Sequence, residues 1–411
     1  MEPVRKCDVL IAGAGPAGLA TALFALRERP ALAGRIVLLE KSAHPRFKVC
    51  AGGLIPKTIL ALDELGIELD VSAARVTGGA ARTPVGDIDL PTGRGVMCTI
   101  VRRDEFDAML ARHARNAGAG IVEYARVLEV EQDAERARVL TDRGVFEAKI
   151  IVGADGSGSR VRRAIFGDRK EAIGRALMTD IPADPVQAPE FAAERYRFDF
   201  RCVSRGIRGY AWSFPCYIGG RPHLNVGIYD QRPREFTERG GEQARMIEEL
   251  AAAFPELPLD PAIRGAGRWR AFPIRWYEAR DRYAAGRTIL AGDAAGVDPL
   301  MGEGISCAFE HGKLAARAIV RFLDGEANAL GAYGAAMHRG AAGRKLAKLA
   351  FAARHFYGPR HRMFFRLALI NRSAGEIGID WYNGARHIDE LPVPALIARW
   401  ARAVLFGSPA R

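Results

Sequence analysis

The sequence predicts an α/β fold in which a parallel-sheet domain is interleaved with an antiparallel-sheet domain and followed by a helical C-terminal cap. Three patterns predict it. Residues 7–12 form a short apolar run that is followed by glycines, a helical stretch at 16–29 and a buried strand at 35–39, which together make a βαβ unit. Alternating segments within 172–230 indicate an antiparallel sheet with one solvated face. Beyond residue 328 the chain is helical, basic and aromatic.

The elements between these landmarks follow from local periodicity and turn residues. In chain order we expect a loop at 41–55, a helix at 56–65, strands within 74–100, a helix at 103–117, a small meander over 121–151, a buried strand at 288–291 and a long helix at 303–322. The strand at 288–291 would return the chain to the parallel sheet. The chain is therefore expected to cross between the two domains more than once.

Size and charge indicate a globular protein with an anionic ligand. At 411 residues the chain exceeds the usual size of one hydrophobic core, so two closely joined domains are expected. Lys and Arg total 60 against 48 Asp and Glu, a formal net charge of +12. This balance favours a dinucleotide, a pyrophosphate or an acidic lipid surface, although an arginine-rich proteome would give the same excess.

Cysteine usage and hydropathy set the expected compartment. The six cysteines include no CxxC pair, so neither a zinc site nor a disulfide framework is indicated. The N-terminus runs directly into a predicted strand, which leaves no room for a signal peptide, and no apolar run approaches the ~20 residues that span a bilayer. We expect a cytoplasmic protein that is at most peripheral to a membrane.

Residues 13–18, GAGPAG, follow a predicted strand and open a predicted helix, the context in which a GxGxxG pattern predicts a Rossmann-type dinucleotide site. Gly13 permits the tight turn, Gly15 lets the backbone approach a pyrophosphate, and Gly18 lets helix and strand pack closely. The helix N-terminus supplies unpaired N–H groups for the phosphates. Glu40 lies about twenty residues on, where a carboxylate accepts hydrogen bonds from a ribose. The alternative is a structural glycine-rich turn with a chance acid nearby.

Two later segments distinguish FAD from NAD. Residues 153–162, GADGSGSRVR, resemble the Asp-Gly fingerprint of class A flavoprotein monooxygenases and their relatives, and residues 291–296, AGDAAG, resemble their Gly-Asp fingerprint. The resemblance implies that Asp293 accepts hydrogen bonds from the ribityl hydroxyls and that Asp155 and Gly156 turn beneath the pyrophosphate. A plain strand-to-helix turn at the Asp-Gly pair stays open as an alternative.

Two further features fit the same superfamily. Arg103 occupies a position where its members commonly have an FAD-contacting arginine, the alternative being a solvated arginine at a helix N-terminus. Residues 299–305, PLMGEGI, resemble the loop that passes close to the isoalloxazine ring. Glycines there let backbone N–H groups meet the flavin N1 and O2 region, where negative charge develops on reduction. The sequence has no second strand-GxGxxG-helix unit, so a nicotinamide would have to dock transiently.

Residues 48–54, KVCAGGL, and 210–215, YAWSFP, move the interpretation toward one branch. Together they resemble the geranylgeranyl reductase family, which includes reductases of archaeal ether lipids, of the phytyl tail of chlorophylls and of quinone prenyl tails. Cys216 stands where the family usually has a lysine, and Ile207 where a proline usually begins the motif. If that lysine contacts a substrate phosphate, its replacement argues against a pyrophosphate-bearing substrate.

The resemblance implies an FAD-dependent reductase that saturates C=C bonds of a prenyl chain or similar apolar alkene, with hydride from reduced flavin and a proton for the other carbon. Tyr210, Trp212 and Phe214 alternate along a strand and share one face, which predicts either an aromatic wall for the chain or a routine sheet core. Cys50 is a candidate proton donor or a reporter of the flavin redox state, the alternative being a buried inert cysteine.

The predicted site is therefore defined residue by residue, with no metal site. The candidate catalytic residues are Cys50, Tyr210, Trp212 and Phe214. The candidate cofactor-binding residues are Gly13, Gly15, Pro16, Ala17, Gly18, Glu40, Lys41, Cys50, Ala51, Gly52, Arg103, Asp155, Gly156, Gly292, Asp293, Gly302, Gly304 and Ile305. His44, Lys48 and His311 are expected to be solvated or structural.

These predictions divide the chain into three units. We expect an FAD-binding domain of residues 1–73, 101–171 and 277–327, a substrate domain of 74–100 and 172–276, and a C-terminal helical cap of 328–411.

Two other functions stay open. An FAD-dependent monooxygenase, such as an aromatic or polyketide-type hydroxylase, shares the three FAD fingerprints, whereas the Trp-x-Trp-x-Ile-Pro segment of a halogenase is absent from the sequence. A flavin-binding sensor or electron carrier without substrate turnover is the third. The expected partners are an apolar small-molecule or lipid substrate and an external electron donor, NAD(P)H or a reduced ferredoxin. No nucleic acid is expected, and the basic aromatic tail suits a peripheral membrane contact.

Overall fold

A computed structural model of the chain describes residues 4–90, 95–167, 172–231, 242–259, 269–370, 379–384 and 398. Within these residues the strands form three sheets of eight, seven and three strands. The strands are β1 (Arg5–Ala12), β2 (Ile36–Leu39), β3 (Gly53–Leu54), β4 (Ala73–Val76), β5 (Gly78–Thr83), β6 (Gly86–Leu90), β7 (Cys98–Val101), β8 (Gly120–Val122), β9 (Val127–Gln132), β10 (Ala137–Thr141), β11 (Gly144–Gly153), β12 (Ile173–Pro182), β13 (Arg195–Asp199), β14 (Gly209–Ile218), β15 (Arg221–Gln231), β16 (Arg270–Arg275), β17 (Ala284–Ala285) and β18 (Thr288–Leu290).

The helices agree with the sequence-based expectation to within two residues where one was made. They are α1 (Pro16–Glu28), α2 (Pro56–Glu64), α3 (Arg103–Asn116), α4 (Arg160–Phe166), α5 (Pro189–Ala192), α6 (Glu242–Ala253), α7 (Ile305–Leu323), α8 (Ala329–Arg339), α9 (Ala341–Phe356) and α10 (His361–Ile370).

Five parallel strands form the centre of the eight-stranded sheet, in the order β18, β11, β1, β2 and β8. Ala12 at the end of β1 pairs with Leu39 of β2 and with Gly153 of β11, and Gly153 pairs with Leu290 of β18. The carboxyl ends of these strands therefore meet at one edge, where open α/β sheets bind their ligands. The three predicted FAD fingerprints start side by side along this edge.

Helices α1 and α7 pack closely because small residues lie between them. A side chain on Gly312 of α7 would come within 2.8 Å of the Thr21 backbone nitrogen and 2.9 Å of Ala20 Cβ in α1. The N-caps of the two helices are Gly15 and Gly304. Both helices consequently begin next to the edge where the parallel strands end.

The seven-stranded sheet has the order β16, β12, β15, β14, β13, β5 and β6. Its neighbours are antiparallel except for β13 and β5, which run parallel. The expectation of a solvated face is wrong for the central strands, since β14 is buried on both faces for most of its length. Met246 and Leu250 of α6 cover one face by packing against Ala211 and Ile228. Alternation in a strand does not distinguish a face covered by a helix from one covered by water.

The remaining elements connect the two large sheets. Strands β3, β7 and β4 form the three-stranded sheet. The C-terminal helices pack on the parallel sheet, where the Tyr333 hydroxyl of α8 donates to the Leu290 carbonyl over 2.5 Å and Leu346 of α9 joins the same core. Among the described residues, no helix is both long and apolar enough to cross a bilayer. The division of the chain into three domains stays a prediction.

Gly227 of β15 tests how the sheet accommodates its large aromatic residues. A Cβ at this position would overlap the Trp212 ring and come within 2.6 Å of the Leu177 carbonyl oxygen. Gly227→Ala should therefore lower the free energy of unfolding by about 1–3 kcal/mol, since overpacking displaces neighbours. Gly120→Ala in β8 is the matched control, because its Cβ would have only ordinary contacts at 3.6 Å. Equal thermal stability of the two variants would contradict this packing.

Candidate functional site

A cavity of 2010 Å³ extends from the edge of the parallel sheet to the C-terminal helices. It is larger than the ~300–1,000 Å³ of a typical small-molecule pocket, so it has room for two ligands side by side. Every residue that the sequence predicts for the site lines this cavity except Gly18. A side chain on Gly18 would overlap the Gly13 carbonyl oxygen, so this glycine serves helix-strand packing, as expected. The roles of the lining residues stay predictions.

The phosphate end of the cavity is a cradle without side chains. Gly13 has φ 101°, and a Cβ there would overlap the Ala154 carbonyl oxygen, so the turn requires glycine. Above Gly15 the space is open, since the nearest atom to a Cβ would be an Arg46 guanidinium nitrogen at 3.5 Å. A Cβ on Gly156 would meet no atom within 4 Å. With the N-terminus of α1 beside it, this cradle fits the pyrophosphate of a dinucleotide such as FAD.

A buried ion-pair chain that the sequence did not predict connects two of the candidate residues. Glu40 Oε2 accepts hydrogen bonds from the Ala14 N–H at 3.2 Å and from Arg46 at 3.3 Å. Arg46 also donates to Asp107 over 3.0 Å, and Arg103 donates twice to the same carboxylate over 2.7 and 2.9 Å. The i, i+4 spacing of Arg103 and Asp107 on α3 was the only available signal.

This series of ion pairs holds Glu40 and Arg103 in position. Asp107 is fully buried, so its carboxylate depends on both arginines for compensation. Burial by itself would lower the pKa of Arg103, but the paired carboxylate raises it above its ordinary value. Arg103 is therefore a permanent cation at the cavity wall, not a solvated residue.

The sequence allowed the Asp-Gly turn to be either a plain strand-to-helix turn or a turn beneath the pyrophosphate, and the structure has features of both. The Asp155 carboxylate accepts from Ser159 Oγ over 2.5 Å, from the Arg160 N–H over 2.7 Å and from the Val161 N–H over 3.3 Å. It therefore satisfies the first two N–H groups of α4, whose N-cap residue is Ser159. The Gly156 backbone lines the cavity, where it is available to a pyrophosphate.

Hydrogen bonds with His311 and Ser157 hold the Gly-Asp turn in place. The Gly292 N–H donates to Nδ1 of His311 over 3.2 Å, and burial lowers the pKa of His311 to about 4, which keeps the imidazole neutral. Asp293 Oδ2 accepts from Ser157 Oγ over 3.1 Å, while Oδ1 lies 3.2 Å from the Cβ position of Gly304. Asp293 thus lies at the N-terminus of α7, where a ribityl chain would meet both a carboxylate and a positive helix end.

The Cys50 loop lies between the two ends of the cavity. Gly52 has φ 78°, and a Cβ there would overlap the Val101 carbonyl oxygen, so the loop approaches β7 as closely as backbone permits. Cys50 Sγ accepts from the Gly52 N–H over 3.3 Å, and the Arg103 guanidinium lies close enough to interact with it electrostatically. An N–H donor and a cation therefore lie beside the sulfur.

Lys48, which was expected to be solvated or structural, also lines the cavity. Its ammonium lies over the Phe272 ring, 2.8 Å from the centroid. Burial lowers the pKa of Lys48 to about 8, and the nearby Asp293 opposes part of this decrease. The lysine therefore places a cation near the Gly-Asp turn that sequence reasoning had not assigned there.

The aromatic wall is larger than predicted. Tyr210, Trp212 and Phe214 are buried and line the cavity from β14. Phe198 of β13 lies against them, 5.2 Å from Tyr210 and 5.3 Å from Phe214 between ring centroids. Other aromatic residues that line this part of the cavity are Tyr196, Phe200 and Tyr229. Alternation in β13 was visible in the sequence, but its pairing with β14 was not.

The C-terminal helices close the apolar end. Side chains of α9 and α10 that line the cavity include Phe351, His355, Phe356, Phe364, Phe365 and Leu369. Phe200, directly after β13, meets Phe365 of α10 at 5.5 Å between ring centroids. Cys216, which replaces the family's lysine, is a buried thiol and is not among the described residues that line the cavity.

Known proteins share this architecture. The family described as FAD binding domain matches residues 6–347. A geranylgeranyl bacteriochlorophyll reductase-like protein of Thermoplasma acidophilum has the same fold, with a TM-score of 0.72 at 20% identity over 98% of this chain and 97% of that one. These two findings confirm the predicted fold class.

Sequence relatives include both reductases and a monooxygenase. The chloroplastic geranylgeranyl diphosphate reductase of Oryza sativa subsp. japonica is 30% identical over 338 residues, covering 77% of this chain and 67% of that protein. Menaquinone reductase of Mycolicibacterium smegmatis is 27% identical over 337 residues, 76% of each protein. Kynurenine 3-monooxygenase of Xanthomonas oryzae pv. oryzae is 29% identical over 333 residues, covering 75% and 71%. The family resemblance seen in the motifs is thereby confirmed.

Gly15→Val tests the phosphate cradle. Because the space above Gly15 is open and its φ of −90° suits any residue, the variant should fold but lose FAD, as its side chain would fill the pyrophosphate position. Gly18→Val should instead destabilise the fold, because its Cβ would overlap the backbone. Flavin absorbance per protein and thermal unfolding of the apoprotein check both outcomes. Full FAD occupancy in Gly15→Val would remove this turn from the cofactor site.

Proposed function

Because the chain belongs to the FAD binding domain family of flavoprotein oxidoreductases, we propose that it saturates C=C bonds of a prenyl chain or a similar apolar alkene. Geranylgeranyl reductases are among its relatives. It is an FAD-dependent oxidoreductase. The observation that best supports alkene reduction is that one continuous cavity is lined by the FAD fingerprints at one end and by aromatic, apolar side chains at the other. An extended hydrocarbon chain is the ligand that such a lining suits best.

The residue at the position of the family's lysine favours an isoprenoid substrate without a diphosphate. The family's usual lysine is replaced by the buried thiol of Cys216, which carries no positive charge for a phosphate. Relatives named for geranylgeranyl diphosphate and for menaquinone support an isoprenoid substrate in general. A prenyl alcohol, a prenylated quinone or a lipid-borne prenyl chain therefore fits better than a free prenyl diphosphate.

The chemistry adds two hydrogens across one double bond. When bound and reduced by an external donor, FAD supplies the hydride, and we propose NAD(P)H or a reduced ferredoxin as that donor. Cys50 supplies the proton to the second carbon, with Arg103 and the Gly52 N–H stabilising its sulfur afterwards. Trp212 and its neighbours hold the alkene and exclude water from this end of the cavity.

A monooxygenase is the second candidate, because kynurenine 3-monooxygenase is almost as similar as the reductases. The two functions differ in whether molecular oxygen is consumed. A hydroxylase needs no proton donor for an alkene carbon, so Cys50 would be dispensable in it.

Anaerobic single turnover tests the proposed reaction. The FAD-loaded protein is reduced chemically and mixed with geranylgeraniol. Flavin absorbance is followed over time, and the mass of the product is determined by mass spectrometry. We expect flavin reoxidation with a gain of two hydrogens per alkene, and a rate about 10²-fold lower in Cys50→Ala. Cys202→Ala is the control, since this cysteine is buried away from the cavity. Reoxidation only in air, with a hydroxylated product, would favour the monooxygenase instead.

Trp212→Ala tests the aromatic wall. Removing this indole should raise KM for geranylgeraniol at least about tenfold, because burying a large aromatic ring contributes several kcal/mol of contact. Trp269→Ala is the matched control, because Trp269 is equally buried but packs in the core under α6. Both variants should lose thermal stability, and only Trp212→Ala should lose affinity for the alkene. Equal effects on KM would make Trp212 a core residue.

A further inference from the structure

Residues 298–304, called here the flavin loop, separate the Gly-Asp turn from the aromatic wall. Three consecutive carbonyl groups of this loop accept hydrogen bonds from side chains far away in the chain. Gln231 Nε2 donates to the Pro299 carbonyl over 2.9 Å, the Tyr357 hydroxyl to the Leu300 carbonyl over 2.6 Å, and the Tyr210 hydroxyl to the Met301 carbonyl. The first and third donors come from the antiparallel sheet, and the second from the end of α9.

The side chain of the first loop residue, Asp298, accepts three further hydrogen bonds. The Asp298 side chain is buried, and its carboxylate accepts from the Leu300 N–H over 2.6 Å and from the Met301 N–H over 3.1 Å. The Tyr382 hydroxyl donates to the same carboxylate over 2.8 Å. Tyr382 lies in the described segment 379–384, whose position is fixed in turn by a hydrogen bond from Lys345 Nζ to the Tyr382 carbonyl over 2.8 Å.

We propose that Tyr382 and Asp298 are positioning residues for the cofactor, and that the C-terminal segment uses their contact to hold the flavin loop against FAD. Gly302 and Gly304 of this loop, together with Ile305 at the N-terminus of α7, line the cavity. Their backbone can face the flavin ring only while the preceding residues keep their present conformation. The inference rests on the proposed placement of this loop beside the flavin, and it extends the cofactor site to a residue more than 75 positions further along the chain.

The charge state of Asp298 determines how many donors it can satisfy. Burial raises the pKa of Asp298 from its ordinary value to about 6. Above this pH the ionised carboxylate accepts all three donors, whereas below it the added proton occupies one acceptor site and weakens the contact with Tyr382. Among the described residues, the other titratable groups that face Asp298 are Glu303, Cys307, Tyr210, Tyr229, Tyr357 and Tyr382, and Glu310, His311 and Lys345 line the same small cavity as Asp298. Burial raises the pKa of each tyrosine, so these hydroxyls stay protonated donors over the same range.

The linkage has a definite sign. Because the pKa of Asp298 is higher in the folded protein than the ordinary value of 3.8, the protonated form is the one that folding favours. Its contribution to stability is fully present below about pH 4 and is lost as the pH rises through 6. The flavin loop, in contrast, is held most firmly above pH 6. Stability and flavin positioning should therefore respond to pH in opposite directions.

Tyr382→Phe in the full-length, FAD-loaded protein is the direct test, since it removes one hydroxyl and keeps the ring. We expect the FAD dissociation constant to rise about 3- to 10-fold above pH 7, because a hydrogen bond to a charged group is lost. The visible circular dichroism and the midpoint potential of the bound flavin should shift as well. Tyr333→Phe is the matched control, because its buried hydroxyl also donates a hydrogen bond, in this case to the Leu290 carbonyl, and lies outside the loop.

The control should lose similar thermal stability while the flavin signals stay as in the wild type. A second variant, Asp298→Asn, should remove the pH dependence of the flavin circular dichroism near pH 6. Unchanged FAD affinity, spectrum and potential in Tyr382→Phe would overturn the proposal. No alkene is present in these measurements, so a failure of the proposed reductase activity would leave their outcome unaffected, and the reverse also holds.

Discussion

The backbone of residues 298–304 runs along the wall of a largely apolar cavity, and buried carbonyl groups must be hydrogen-bonded. The protein satisfies this requirement with three side chains from two directions: Gln231 and Tyr210 from the antiparallel sheet, and Tyr357 from the C-terminal helices. The consequence is that the flavin end and the substrate end of the cavity share one fixed wall. Because the Tyr210 hydroxyl is used on the loop, only its ring remains for the cavity, and the aromatic wall is therefore positioned by the same contact that positions the loop.

Short-range patterns made much of this architecture predictable. The βαβ unit, the glycine turn at Gly13 and the Gly-Asp turn at Asp293 depend on residues that are close in sequence, and parallel pairing brings their strand ends together. The contacts between distant segments were not predictable. Arg46 reaches Asp107 across 61 positions, and Tyr382 reaches Asp298 across 84. Nothing in the local spacing of an isolated arginine or tyrosine indicates which buried carboxylate it will meet.

The difference between local patterns and long-range contacts also separates the cofactor, which the motifs identify, from the substrate, which they do not. The cofactor end consists of turns whose sequence is characteristic of the family, so FAD follows from motifs and from family membership. The substrate end consists of strand and helix faces, where many aromatic sequences would serve. Reductases and a monooxygenase resemble this chain to a similar degree, so sequence similarity by itself does not distinguish the two functions. Cys50 and Trp212 line the cavity and favour an apolar alkene, whereas Cys216 at the position of the family's lysine argues only against a diphosphate.

We expect FAD and an apolar chain to occupy one cavity on the two sides of the flavin loop. A crystal structure of the FAD-loaded protein with geranylgeraniol tests it most directly. We expect the isoalloxazine ring to lie against Gly302, Gly304 and Ile305. The hydrocarbon chain should lie between that ring and Trp212, with its far end toward α9 and α10. A flavin ring remote from these glycines, or a chain bound outside the aromatic wall, would contradict it.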